Sequence, residues 1–316
     1  MPRPLRIEYP GAIYHVMNCG DHRKDIFRDD DDRLRLVCAL DESCGKTEWQ
    51  VHAYCLMRNH FHLVIETPHP NLVVGMKWLL GVYTKRYHIR HKLCGHLFAG
   101  RHKALHVDGS GTGYLRTVCD YVHLNPVRAK LIEPEAALES FGWSSYKSYL
   151  GAPSRRPGWL RVDRLLGEHG IPKDSVAGRR EFALQMEQRR GQEAEADYRQ
   201  IRRGWCLGDE DFRNELITFA VERVGPSHRS ARRQETGQEK AERIVRDELK
   251  RRGWEEQDLP DQPKGAKAKV AMARRLRKET TMTLKWIAAR LKMGSWTYVS
   301  NLLDAGNKNA KLTLCQ

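Results

Sequence analysis

The chain has 316 residues, with 55 Lys or Arg against 40 Asp or Glu, a formal charge of +15. That length supports one large domain or two modest ones, and a cationic excess interleaved with tryptophan and tyrosine favours a polyanionic partner, nucleic acid first. Eight cysteines without C-x-x-C or paired spacing exclude a disulfide framework, and no apolar run or signal-like start indicates a membrane span or export, so a reduced, cytoplasmic setting is expected.

In chain order, "GAIYHVMN" (11–18) alternates as a strand does, and "DDDDRLRLVCALDESCGK" (29–46) follows as a helix whose apolar side is expected to hold Leu34, Val37 and Cys38. "WQVHAYCLM" (49–57) and "HFHLVIET" (60–67) read as two strands joined at Arg58-Asn59. Residues 71–93 form an amphipathic helix, "HKALHVDG" (102–109) another strand, and 112–124 another helix, burying Leu115, Val118, Cys119 and Val122 at i, i+3, i+4, i+7. On that helix Tyr121 falls at the border of the buried stripe. The order β-α-β-β-α-β-α is that of a ferredoxin-like α+β sandwich, an antiparallel sheet with flanking helices.

Composition shifts after residue 151. The Pro- and Gly-rich "APSRRPGW" breaks the pattern, so 1–151 reads as one domain, 152–208 as a charged helical linker and 209–316 as a mostly α-helical region. Within it, "TLKWIAARLKMGSWTYVSNLL" (283–303) fits a helix-turn-helix, with Gly294 at the turn and Val299, Leu302 and Leu303 inward. Its second helix would offer Trp296, Thr297 and Asn301 to a DNA groove, and basic "ARRLRK" (273–278) lies just upstream to hold phosphates.

The strand at 60–67 raises a chemical question. A period of two puts His60 and His62 on one side and Phe61 on the other, close enough for both imidazoles to lean onto one ion. Ordinary hydrogen-bonded histidines are the competing reading, because a lone H-x-H lacks third and fourth ligands. A phenol on the helix packed against that sheet, Tyr121, is a candidate nucleophile beside a dication. Asn125, four residues on, is in reach as an oxygen ligand, but Pro126 suits it equally as the cap of a new helix. Arg101, Lys103, Arg128 and Lys130 are candidate phosphate contacts. A zinc site at Cys94 or His96 has little ligand spacing behind it.

Several segments in order, "MPRPLRIEYPGAIYHVMN", "AYCLMRNHFHLVIETP", "GHLFAGRHKA", "YVHLNPVRAKL" and "WSSYKSY", resemble the single-tyrosine HUH transposases, specifically the REP-associated tyrosine transposases. The likeness runs from residue 1 to about 150, and the helix-turn-helix is similar to an extension on some members. The resemblance implies the HUH endonuclease fold, with His60 and His62 holding Mg²⁺ or Mn²⁺ and Tyr121 attacking single-stranded or hairpin DNA to give a 5′-phosphotyrosine. It also allows a homodimer in which one subunit's tyrosine serves the other's metal. Cys19 stands where such proteins are expected to carry arginine, and His102 where an aromatic is usual. The competing function is a non-catalytic DNA-binding regulator descended from a transposase.

Overall fold

The computed structural model describes residues 7–192, 198–224 and 237–305. Ala12–Cys19 forms β1, Asp30–Thr47 α1, Gln50–Leu56 β2, His60–Thr67 β3, Leu72–His91 α2 and Lys103–Val107 β4. β1 pairs antiparallel with both β3 and β4, and β2 with β3, giving the order β2-β3-β1-β4 of a ferredoxin-like α+β sandwich. One feature departs from the expected antiparallel sheet: a two-residue strand, β5 (Cys206–Leu207), adds parallel to β4, so the five-stranded sheet is mixed.

Register fixes what each face carries. Cys19 lies opposite His60 and Met17 opposite His62, while His15 opposes Val64. Opposed residues of an antiparallel pair share a face, so His15, Met17 and Cys19 look the same way as both predicted histidines. Phe61 points to the other face, where it packs edge-on to Phe98, and Phe98 in turn meets Tyr83 of α2. That face is closed by α1 and α2 through residues such as Leu36, Leu40, Met76 and Leu79. The histidine face is closed by α3 (Tyr114–His123), whose Leu115, Val118, Cys119 and Val122 are fully buried as the periodicity predicts.

The phase of α1 differs from the sequence expectation. Leu34 is 44% exposed, and Leu36, Ala39, Leu40 and Cys44 point inward instead. The reason is polar. Asp32 is buried and accepts hydrogen bonds from Arg90 (2.6 Å) and His91 (2.9 Å) at the end of α2, while Asp29 caps the helix by accepting from the Asp32 amide. A buried carboxylate thus fixes the rotation of the helix, and apolar spacing alone does not record it.

Residues 152–208 do not behave as a tether. After α4 (Asn125–Arg128) and α5 (Tyr146–Leu150), the chain continues through α6 (Asp163–Glu168), α7 (Val176–Gln192) and α8 (Arg199–Arg203). Their Leu165, Leu166, Phe182, Met186 and Ile201 belong to the same core as the sheet. Phe182 stacks on Tyr149 with ring centroids 5.1 Å apart. Charges that look solvated in sequence are largely spent on pairing: His169 and Arg189 both reach the buried Asp120 of α3, at 3.0 and 3.1 Å. The helix α9 (Glu210–Val224) follows β5.

A second core is built from α10 (Gly237–Arg252), α11 (Asp258–Asp261), α12 (Lys267–Glu279), α13 (Leu284–Arg290) and α14 (Trp296–Ala305). Ile244, Leu249, Met272, Leu276, Ile287 and Val299 fill it. Gly294, at φ +86°, makes the turn between α13 and α14, a conformation that glycine adopts without steric cost. The two bodies meet where Lys46 of α1 donates to the Arg277, Lys278 and Thr280 carbonyls at the end of α12. No described helix is long and apolar enough to cross a membrane. The described cysteines are free thiols, and Cys315 lies outside the described residues.

Candidate active site

Three elements converge on the histidine face. β3 brings His60 and His62, β1 brings His15, and α3 lays Tyr121 across them. The Tyr121 ring centroid is 5.8 Å from those of both His62 and His15, edge-on to each. The His60 and His62 rings are 5.0 Å apart and nearly perpendicular. All four groups belong to one chain, so this meeting of tyrosine and histidine pair requires no exchanged helix.

Hydrogen bonds assign the ring nitrogens. His60 Nδ1 lies 2.8 Å from the Asn59 side-chain oxygen, which can only accept, so Nδ1 carries the proton and Nε2 keeps its lone pair. At His62, Nε2 accepts from the Asn125 amide at 3.1 Å, and Nδ1 sits 2.9 Å from His15 Nε2. With Nε2 accepting, the neutral ring donates from Nδ1 to His15. Burial holds these rings neutral: desolvation lowers the His60 pKa, and it lowers that of His62 well below the ordinary histidine range, helped by the neighbouring His15, His60 and Arg128. The same cause brings His15 down to about 4.

This donor set fits a divalent cation. Both imidazoles have protonated, partnered Nδ1 atoms, as metal-bound histidines do; the Nε2 lone pair of His60 meets no partner among the described residues, and that of His62 is taken by the Asn125 amide, which an ion would displace. Asn125 is the first residue of α4 and its side chain faces His62 instead of capping a helix; the cap position falls on Leu124. Two ligands about 2.1 Å from an octahedral ion lie about 3 Å apart, close to the observed Asn125–His62 separation, and turning the amide would present its oxygen. Among the described residues no cluster of three or more His, Cys, Asp or Glu side chains is arranged to hold a metal; the Asn125 carboxamide is the oxygen donor in contact with His62. Cys94 and His96 are exposed and form no such cluster.

The remaining predicted residues divide. Arg128 lies at the site, its guanidinium 4.1 Å from the Tyr121 ring centroid and donating to the Tyr121 carbonyl. Lys103 is exposed on β4 opposite Met17, which itself opposes His62, and Arg101 is exposed just before that strand. Lys130 instead borders a hollow with Glu133 and Glu187. Trp296, Thr297 and Asn301 are exposed on α14 in the second body. Two residues that sequence reading did not single out are His15 and Tyr198. The latter is buried, 5.1 Å from Tyr121 ring to ring, with Arg128 set 4.9 Å from its own ring. His15 is legible as the polar residue that alternation places with Ile13 and Met17 on one face of "AIYHVMN", the face that α3 covers; nothing local marks Tyr198.

Residues 9–125, which hold His15, His60, His62, Tyr121 and Asn125, match the family model described as Transposase IS200 like. Over these residues, about a third of the chain, the protein is similar to IS200-like transposases. The chain is also similar to a solved REP-associated tyrosine transposase bound to a REP hairpin, at 15% identity, covering 52% of this chain and 93% of that one, with a TM-score of 0.40. No curated protein matches the chain. The family match ends at Asn125, so it takes in β1 to β4 and α3 but stops short of Arg128 and Tyr198, which cover Tyr121.

Proposed function

We propose that the protein is a metal-dependent endonuclease and strand transferase acting on single-stranded DNA, with hairpin DNA of the REP type as its substrate. The observation that carries this reading is the placement of the Tyr121 ring over His62, on the sheet face that also bears His60. His60, His62 and Asn125 would hold Mg²⁺ or Mn²⁺, and imidazole donors favour Mn²⁺ of the two. When bound, such an ion withdraws charge from a non-bridging phosphate oxygen and orients the phosphate for in-line attack.

The chain's own groups supply the rest. Tyr121 Oη forms a bond to phosphorus as the bond to the 3′-oxygen breaks; the phenol loses its proton and the departing 3′-oxygen gains one. The product is a 5′-phosphotyrosine and a free 3′-hydroxyl. That hydroxyl can attack the same ester in reverse, which permits strand transfer without another energy source. Arg128, stacked on the tyrosine, fixes the ring and keeps a positive charge beside the attacked phosphate. On α14, Trp296, Thr297 and Asn301 would read duplex DNA as the second helix of a helix-turn-helix.

The test is a covalent adduct. Wild type incubated with hairpin-bearing single-stranded DNA and Mg²⁺ or Mn²⁺ should yield protein–DNA bands on a denaturing gel. Tyr121→Phe should yield none while still shifting the DNA on a native gel. Adducts persisting in Tyr121→Phe would reassign the nucleophile, and DNA binding without adduct in wild type would leave the non-catalytic regulator as the function.

A further inference from the structure

A groove of about 880 Å³ runs between α2 and the loop Gly95–His102, on the opposite side of the sheet from Tyr121. Lys77 and Lys85 of α2 and Arg101 of the loop stand along it, above a floor that includes Leu80, Ile89 and Phe98. Among the described residues no Asp or Glu lines it. None lines the adjoining hollow of about 520 Å³ either, which shares Arg101 and His102 with the groove and continues to Lys103 and Trp205. Lys77, Lys85 and Arg101 enter no ion pair among the described residues. Elsewhere on α2 the basic residues are neutralised: Arg86 pairs with Glu42, and Arg90 with Asp29 and Asp32.

Glycine adds an independent sign. Gly81 sits midway between the two lysines, four residues from each, on one ridge of the helix. A mid-helix glycine weakens a helix, and packing does not explain this one: a Cβ there would meet nothing within 4 Å. Gly75, one and a half turns earlier, is the contrast, since its Cβ would fall 2.1 Å from the Trp49 ring. At Gly81 the bare backbone deepens the groove and serves no contact within the protein.

The groove also reaches the site. Ala99 donates to the Cys19 carbonyl at 3.0 Å, and Phe98 bridges to Gly20, so the loop runs beside the end of β1 where Cys19 faces His60. We infer that this groove holds the single-stranded DNA flanking the scissile phosphate, with its backbone along Lys77, Lys85 and Arg101 and unpaired bases against Ile89, Phe98 and Trp205. The inference rests on the nuclease reading for which phosphate lies at the far end. Charge without carboxylates selects a polyanion, and an apolar floor selects one whose flat faces are unpaired, which a duplex does not offer.

The experiment uses the full chain in a Tyr121→Phe background, so that binding is read without chemistry. Affinities for a fluorescent hairpin with single-stranded flanks and for a blunt duplex are measured across a salt series. Lys77→Gln/Lys85→Gln should weaken binding of the flanked hairpin about tenfold and flatten its log K against log salt slope by about 1.4, the value for two lost single-strand phosphate contacts. Gly81→Leu, which changes no charge and favours the helix, should weaken that binding while leaving the slope unchanged. Duplex affinity should hold in both. Unchanged affinity and slope in the lysine variant, or an equal loss for the duplex, overturns the groove. The adduct assay with Tyr121 intact separates the two readings: failure there with these shifts present sinks the nuclease alone, and adducts with no shift sink the groove alone.

Discussion

The 2.9 Å contact between His15 and His62 decides which His62 nitrogen is left to face an ion. If His15 acts as the acceptor that holds this tautomer, His15→Ala should weaken Mn²⁺ binding by about 10- to 100-fold, the range for losing such a partner. His15→Gln, whose carbonyl can take the same proton, should retain most of it. Electron paramagnetic resonance titration of free Mn²⁺ reads this without DNA; equal affinity in the alanine variant would show His15 to be filler. Burial of histidine also makes an acid-side prediction. His15 and His123 are brought from an ordinary 6.5 to about 4 and about 3 by desolvation. Between pH 6.5 and those values the unfolded chain binds more protons than the folded one, so stability should rise with pH through that window and be fully present above it. Urea midpoints at pH 7, 5.5 and 4.5 check this. A curve that His15→Gln leaves unchanged would show that this group does not contribute.

At the level of elements, α3 is held from both sides. One side buries its apolar stripe on the sheet; the other plants Asp120 among His169 and Arg189 of the later segment. Asp120→Ala would strand these partners, and breaking a buried charge network by removing one member costs about 3–5 kcal/mol. Urea unfolding should show a loss of that order, and a loss below about 1 kcal/mol would mean that solvent already reaches the cluster. Such contacts explain what could be read ahead of the structure. The strands, the α3 stripe and the placement of His60 and His62 on one face follow from periods of 2 and 3.6, which are local. The rotation of α1 depends on Asp32 meeting residues 58 and 59 positions away, and the attachment of 152–208 depends on Phe182 meeting Tyr149. Neither is visible in a window of a dozen residues, and the charge of the later segment pointed the wrong way.

Across the whole molecule, two lysines tie the bodies: Lys240 of α10 pairs with Glu48 beyond α1 at 2.5 Å, and Lys46 reaches α12. Lys46 is buried beside Trp78, its ammonium 5.0 Å from that ring, and desolvation brings its pKa down to about 8. It satisfies carbonyls at the end of α12 that a helix terminus leaves without partners. Lys46→Met should therefore loosen the second body without touching the first. Limited proteolysis between the bodies should quicken several-fold in that variant while adduct formation through Tyr121 stays at the wild-type level; an unchanged digestion rate would place the joint elsewhere.

Tyr198 gives the site an unexpected geography. It closes over Tyr121, 77 positions earlier in the chain, from beyond the residues that match the family model. Residues 9–125 are thus not a portable cassette: grafted onto another scaffold, they would carry His15, His60, His62 and Tyr121 but arrive without their roof. Substitutions in α7 or α8 would then pass in a genetic screen for lesions of the catalytic centre itself.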